Sequence, residues 1–221
     1  KFEGSSNKRQ KIYYIVRDSI IEQKLVFFGG FASSMYAKYM PASKRRQLSS
    51  NPDFDILSEN PETSANLIKD RLEEHGIKNI KVIRQPPIGE LIGPHYEVVV
   101  GSDTVCFIYE PTSCHSYNVV KVDDKKIRIA TIDTMLSFYL AFIYANRTYY
   151  DRDRIICMAQ YLFEVREKNR LKQKGLLKRF SINCYGKQDS IEEIRANKAK
   201  IFQYLKDRPN SDIYQKYFLR Y

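Results

Sequence analysis

Tryptophan is absent from this chain of 221 residues, and histidine is scarce, with His75, His95 and His115 the only three. The four cysteines, Cys106, Cys114, Cys157 and Cys184, form no C-x-x-C pair, and the histidines lack the spacing of zinc ligands. A zinc ribbon or finger is thereby excluded. Cysteines scattered through apolar contexts read as reduced thiols, which suggests a reducing compartment. No apolar run approaches the ~18 residues of a membrane span, so no membrane partner is expected. The opening stretch from Lys1 to Arg9 is polar and does not read as a signal peptide. It starts with Lys rather than Met, and the expectation is that further residues precede it. Internal repeats and low-complexity segments are also missing.

What is present is positive charge. Lys and Arg number 37 against 26 Asp and Glu, a net charge of +11. A surplus of this size suits a polyanion such as nucleic acid or a nucleotide. The chain is 43% hydrophobic, enough for a real core. Tyr reaches 17 and Phe 12, and aromatics among basic residues suit base stacking, although most belong in a core.

The most informative residues are two acids, Asp53 and Asp55, in the run Pro52-Asp53-Phe54-Asp55-Ile56-Leu57. Side chains alternate across a strand, so both acids face one side and Phe54 the other. Paired carboxylates repel, and a divalent cation between them is the usual remedy. Oxygen-only ligands favour Mg²⁺ or Mn²⁺. Upstream, the apolar run Leu25 to Phe28 ends in Gly29-Gly30, a turn that lets backbone N–H groups approach phosphates.

Periodicity predicts a helix over Lys11 to Gln23, a strand over Leu25 to Phe28 and a helix over Phe31 to Tyr39. A strand follows at Asp53 to Leu57, and a helix at about Ser64 to His75 opened by Asn60-Pro61. Ile80 to Ile83 reads as a strand. Tyr96 to Val100 and Thr104 to Tyr109 flank Gly101-Ser102-Asp103 as a hairpin, and Ile127 to Ala130 is a short strand. Helices then dominate, over Thr131 to Asn146, Asp151 to Lys172 and Ser190 to Lys206. Residues 1–10 read as a flexible tail, 11–130 as a domain mixing strands and helices, and 131–221 as mainly helical. The fold class expected is α+β.

This order, with the motifs Phe28-Gly29-Gly30-Phe31-Ala32, Pro52-Asp53-Phe54-Asp55 and Asn183-Cys184-Tyr185-Gly186-Lys187-Gln188, resembles the nucleotidyltransferase fold of the DNA polymerase β superfamily. More closely it is similar to the catalytic poly(A) polymerases of large cytoplasmic DNA viruses. The resemblance covers roughly residues 12–206. It implies template-independent addition of AMP from ATP to RNA 3′ ends, with Mg²⁺ or Mn²⁺ held by Asp53, Asp55 and a third acid. Glu110, at the end of the second hairpin strand, is the best candidate for that acid, and Asp103 is a weaker one. The resemblance also implies that Gly29 and Gly30 hold the triphosphate. The family often has Ser directly after the first glycine, and here Ser33 or Ser34 substitutes or backbone N–H groups serve alone. Lys187 is a further nucleotide-binding candidate. RNA contacts are assigned to Lys44, Arg45 and Arg46 and to Arg166, Lys168 and Arg170. Partners implied are the RNA 3′ end, ATP, and either a second copy or a processivity subunit. The location implied is the host cytoplasm or the virion. A different class of reading is a catalytically degenerate module that docks RNA or a subunit. A third is a transferase of the same fold acting on tRNA ends or small molecules.

Overall fold

In a computed structural model that describes residues 7–40, 53–148, 150–179 and 181–218, a mixed eight-stranded sheet runs β3-β4-β5-β2-β1-β7-β6-β8. Its centre is made of the most apolar segments. β1 (Val26–Phe28) has all three side chains buried, because both of its faces are covered. It pairs antiparallel with β2 (Phe54–Leu57) and parallel with β7 (Lys125–Ala130). β2 in turn pairs parallel with β5 (Asp103–Tyr109), which forms a hairpin with β4 (His95–Val100); β3 (Ile80–Gln85) closes that side.

Alternation along β1 and β2 sorts the core into two layers. Phe27 and Phe54 pack with Phe31 and with Tyr13 of α1 (Asn7–Glu22), and α3 (Pro61–Glu74) lies against α1. Phe28 and Tyr109 point the other way, onto Phe138 and Phe142 of α4 (Ile132–Ala145). α5 (Arg152–Lys168) packs along α4. Asp53 and Asp55 share the α4–α5 side, because they alternate with Phe54. The Thr131 hydroxyl accepts from Thr134 N–H and caps α4, and Asp151 caps α5 in the same way. α6 (Ile191–Leu205) opens with a capping box between Ser190 and Glu193.

Several boundaries differ from the sequence reading. α1 begins at Asn7, inside the stretch expected to be a tail. The long basic helix ends at Lys168, with Asn169 as its C-cap, rather than at Lys172. Two strands were not anticipated. β6 (His115–Val122) joins β7 through Asp123-Asp124, both with positive φ, a two-residue turn that lacks the glycine usually signalling it. β8 (Cys184–Tyr185) adds to the sheet edge beside β6. A short helix α7 (Asp212–Tyr217) was also missed.

The expectation of four free thiols is corrected. The β6–β8 pairing brings Cys114 and Cys184 to 5.3 Å between Cα atoms, and they are disulfide-bonded across a sequence separation of 70. Cys106 is free and buried, and Cys157 is free and exposed. Among the described residues no helix is long and apolar enough to cross a membrane.

Candidate active site

The site grows from the carboxyl end of β1. The chain leaves Phe28 and enters α2 (Gly29–Tyr36) through Gly29, whose φ is +65°. The register Phe28↔Asp55 sets Asp55 directly beside this turn, so a Cβ on Gly29 would collide with the Asp55 carboxylate. Glycine is needed there on both counts, conformation and space. The Gly30 N–H donates to the Asp55 carboxylate. Above the two acids lies a cleft of about 490 Å³. Its sheet wall holds Asp53, Asp55, His95, Glu97, Phe107 and Tyr109; its helical wall holds Tyr139, Phe142, Tyr150, Arg154, Ile155 and Met158.

The electrostatics follow from this enclosure. Burial raises the Asp53 carboxyl above its ordinary value, against the pull of the Arg154 guanidinium. Burial, reinforced by the neighbouring Asp53 charge, pushes Asp55 up to about 7, with Arg154 and the Gly30 N–H opposing. Burial and then the Asp55 and Asp53 charges push the Cys106 thiol up as well. His95 is held low by burial; its Nδ1 donates to the Gly93 carbonyl at 3.2 Å and its ring stacks on Tyr109. The cleft is therefore an acid pair short of positive charge, with one arginine at its rim.

Glu110 does not reach this pair. β2 and β5 run parallel with Asp55 opposite Phe107, and Glu110 follows the end of β5, three residues further along. At ordinary strand rise that is roughly 10 Å away along the sheet. Glu110 is exposed and lines a separate pocket with Glu59, Glu62, Arg84 and Tyr96. The weaker alternative, Asp103, sits at the start of β5 and pairs with Arg9 at 3.8 Å. The carboxylate that does share the cleft wall is Glu97 on β4, opposite Phe107, and the Thr104 hydroxyl donates to it. It lies two strands from Asp55, about 10 Å between Cα positions at ordinary strand spacing. No three Cys, His, Asp or Glu among the described residues stand close enough to hold a metal as a set. The donors that fit a hard divalent cation are thus Asp53 and Asp55, whose mutual repulsion a cation would relieve.

No protein-family model matches the chain. A stretch of 84 residues is 32% identical to a protein of African swine fever virus, from a Kenyan pig isolate, whose name gives a provisional assignment as poly(A) polymerase catalytic subunit. That stretch is 38% of this chain and 18% of the viral protein, and the protein of a Malawian tick isolate matches to the same extent. The crystal structure of the Megavirus polyadenylate synthase superposes with a TM-score of 0.66 at 13% identity, over 91% of this chain and 44% of that one. The chain has the nucleotidyltransferase fold of a viral polyadenylate synthase. It spans less than half the length of that structure, and the matched stretch is under a fifth of the curated relatives.

Within the polyadenylate synthase fold the other residues singled out from the sequence are dispersed. Ser33 is buried and shares a 3.1 Å hydrogen bond with the Tyr139 hydroxyl at the helical wall of the cleft. Ser34 donates to the Phe31 carbonyl at 2.7 Å, inside its own helix. Lys187 is not brought to the acids. It pairs with Asp189 and Glu193, each at 3.4 Å, and the adjoining Gly186 N–H donates to Glu59, past the far end of β2. Arg166 and Arg170 line a second cleft, whereas Lys168 pairs with Glu164 at 3.9 Å. Lys44, Arg45 and Arg46 lie outside the described residues. Sequence reasoning missed Glu97 and Arg154. Glu97 had a signal, a lone charge inside the apolar strand run Tyr96 to Val100; Arg154 had none beyond its place in the first turn of a helix.

Proposed function

We propose that the chain is the nucleotidyl-transfer part of an enzyme that adds AMP from ATP to RNA 3′ ends without a template. The observation that carries this is the placing of Asp53 and Asp55 beneath the Gly29-Gly30 entry to α2, in the cleft of a polyadenylate synthase fold. The names of the relatives, poly(A) polymerase catalytic subunit and polyadenylate synthase, supply the substrate class. They also support a second subunit as partner.

Each wall has a task. The open start of α2 presents backbone N–H groups and the positive end of the helix to the triphosphate. Arg154, already drawing on both acids, is placed to share the phosphate charge. Asp53 and Asp55 would hold the divalent cation, Mg²⁺ or Mn²⁺, which when bound supplies Lewis-acid charge for the attacking 3′-hydroxyl and the leaving pyrophosphate. Glu97, a further carboxylate lining the cleft, would accept the 3′-hydroxyl proton, in place of the third metal-holding acid expected at Glu110. Aromatic and apolar side chains, Phe142, Tyr150 and Met158 among them, offer a wall for the adenine ring.

The test is primer extension by the full-length protein with ATP, Mg²⁺ and an oligoribonucleotide. Wild type adds adenylates, and Asp53→Ala loses roughly 10²–10³-fold in rate, the scale of removing one group that stabilises developing charge. Extension by wild type and Asp53→Ala at equal rates would overturn the reading. Glu97→Gln reduces the rate while Glu110→Gln does not; the reverse pattern would return the third-acid role to Glu110.

A further inference from the structure

A second cleft of about 400 Å³ lies at the other end of the α4–α5 pair, where the start of α4 meets the end of α5 and the segment after it. Its lining includes Phe163, Arg166, Arg170, Lys178 and Arg179 around Asp133. Asp133 pairs with Arg166 and, at 3.7 Å, with Arg179, so one carboxylate orients two guanidinium groups. Arg170 and Lys178 are exposed at the rim, with no ion pair among the described residues. Phe163 is 55% exposed in the same wall, an aromatic face turned to water among cations. Exposed aromatics are common singly and carry nothing alone. Joined to a concave cluster of cations, one makes the combination single-stranded nucleic acid needs: charge for the backbone and a flat ring for a base.

The position adds the chain direction. Arg154, in the first turn of α5, lines the catalytic cleft; Phe163 and Arg166, on the last turns, line the second. At 1.5 Å per residue these sites are about 14–18 Å apart along the helix. That span is about four to five nucleotides at the 3.4 Å spacing of stacked bases. We propose that the second cleft holds the upstream part of the RNA whose 3′ end lies in the catalytic cleft, with a base stacked on Phe163 and phosphates on Arg170 and Lys178. The proposal rests on the RNA reading of the catalytic cleft, and its test is kept apart from catalysis.

The experiment measures binding of the full-length protein to 5′-labelled oligoadenylates of three and eight nucleotides by fluorescence anisotropy, in EDTA, over a range of salt. The octamer binds wild type more tightly than the trimer. Phe163→Ala weakens octamer binding by roughly 5- to 100-fold, the range for one stacked base. Arg170→Gln with Lys178→Gln lowers the slope of log affinity against log salt by about 1.4, two phosphates on a single strand. In both variants the gain from trimer to octamer shrinks. These side chains are exposed, and circular dichroism checks that the variants keep the fold. Octamer affinity and salt slope unchanged in every variant would overturn the proposal. So would inorganic polyphosphate binding as tightly as the octamer with Phe163→Ala silent, which marks a plain anion cleft. Wild type that binds with these sensitivities yet adds no AMP sinks the catalytic reading alone; wild type that extends RNA with insensitive binding sinks this proposal alone.

Discussion

Asp55 shows what one residue in this cleft costs the fold. Its carboxyl is pushed up to about 7, first by burial and then by Asp53, from an ordinary value near 4. A raised acid favours the folded state at low pH: the contribution is full below about pH 4 and is lost as pH rises through about 7. In metal-free protein Asp55→Asn should therefore match wild type in thermal stability near pH 4. It should exceed wild type above pH 7, by a ceiling of about 4 kcal/mol, as read from melting curves in EDTA at both pH values. Equal melting temperatures at pH 8 would show that the charge is solvated after all. Gly29 is the complementary position. Gly29→Ala meets a left-handed backbone, about 1–2 kcal/mol of strain, and the Asp55 carboxylate as well. A lower melting temperature together with loss of extension is the expected outcome, and an active, equally stable Gly29→Ala would show that the turn relaxes. Both residues were legible in the sequence, because a strand alternates with period two and a Gly-Gly after an apolar run marks a sharp turn. Glu110 was chosen by its place at a strand end, and only the β2–β5 register shows that Phe107, not an acid, stands beside Asp55.

Among the elements, those decided by short-range signals came out close to expectation. α4 starts at the Thr131 cap, and Thr131→Ala should cost about 1 kcal/mol in chemical denaturation, since it removes the acceptor for Thr134 N–H. The elements missed are those whose signals lie elsewhere in the chain. β6 is a half-buried strand with Asn118 its one buried residue and no strict alternation, so its pattern resembles a loop until β7 pairs with it. β8 is two residues long and exists because β6 offers an edge. The Cys114–Cys184 bond ties that edge to the loop before β6. Closing a separation of 70 residues restricts the unfolded chain by about 4 kcal/mol. Cys114→Ser should lower the denaturant midpoint accordingly, and dithiothreitol should lower wild type to the level of the variant without moving the variant. No response of wild type to reductant would show that the thiols are reduced in solution.

Across the whole molecule the net charge of +11 is carried on a fold in which two of the clefts sit at opposite ends of one helix pair. Acid and base are thereby separated. The first cleft carries Asp53, Asp55 and Glu97 in its sheet wall, and the second carries Arg166, Arg170 and Arg179 around Asp133. If the proposed function holds, RNA affinity should fall steeply as salt rises, because each phosphate neutralised releases counterions, whereas ATP binding in the acid cleft should depend chiefly on the divalent cation. What the sequence by itself determined is local: two acids on one face of a strand, a glycine turn before a helix, an apolar centre and a basic surplus. Each follows from the period of an element or the conformational range of a residue, which neighbours along the chain suffice to set. Only the tertiary structure decided that Glu97 and Arg154 share a cleft with the acids, that Glu110 and Lys187 do not, and that Cys114 meets Cys184. Those facts depend on the strand order β3-β4-β5-β2-β1-β7-β6-β8 and its registers, which bring together segments far apart in the chain and are set by the packing of two sheet faces against helices.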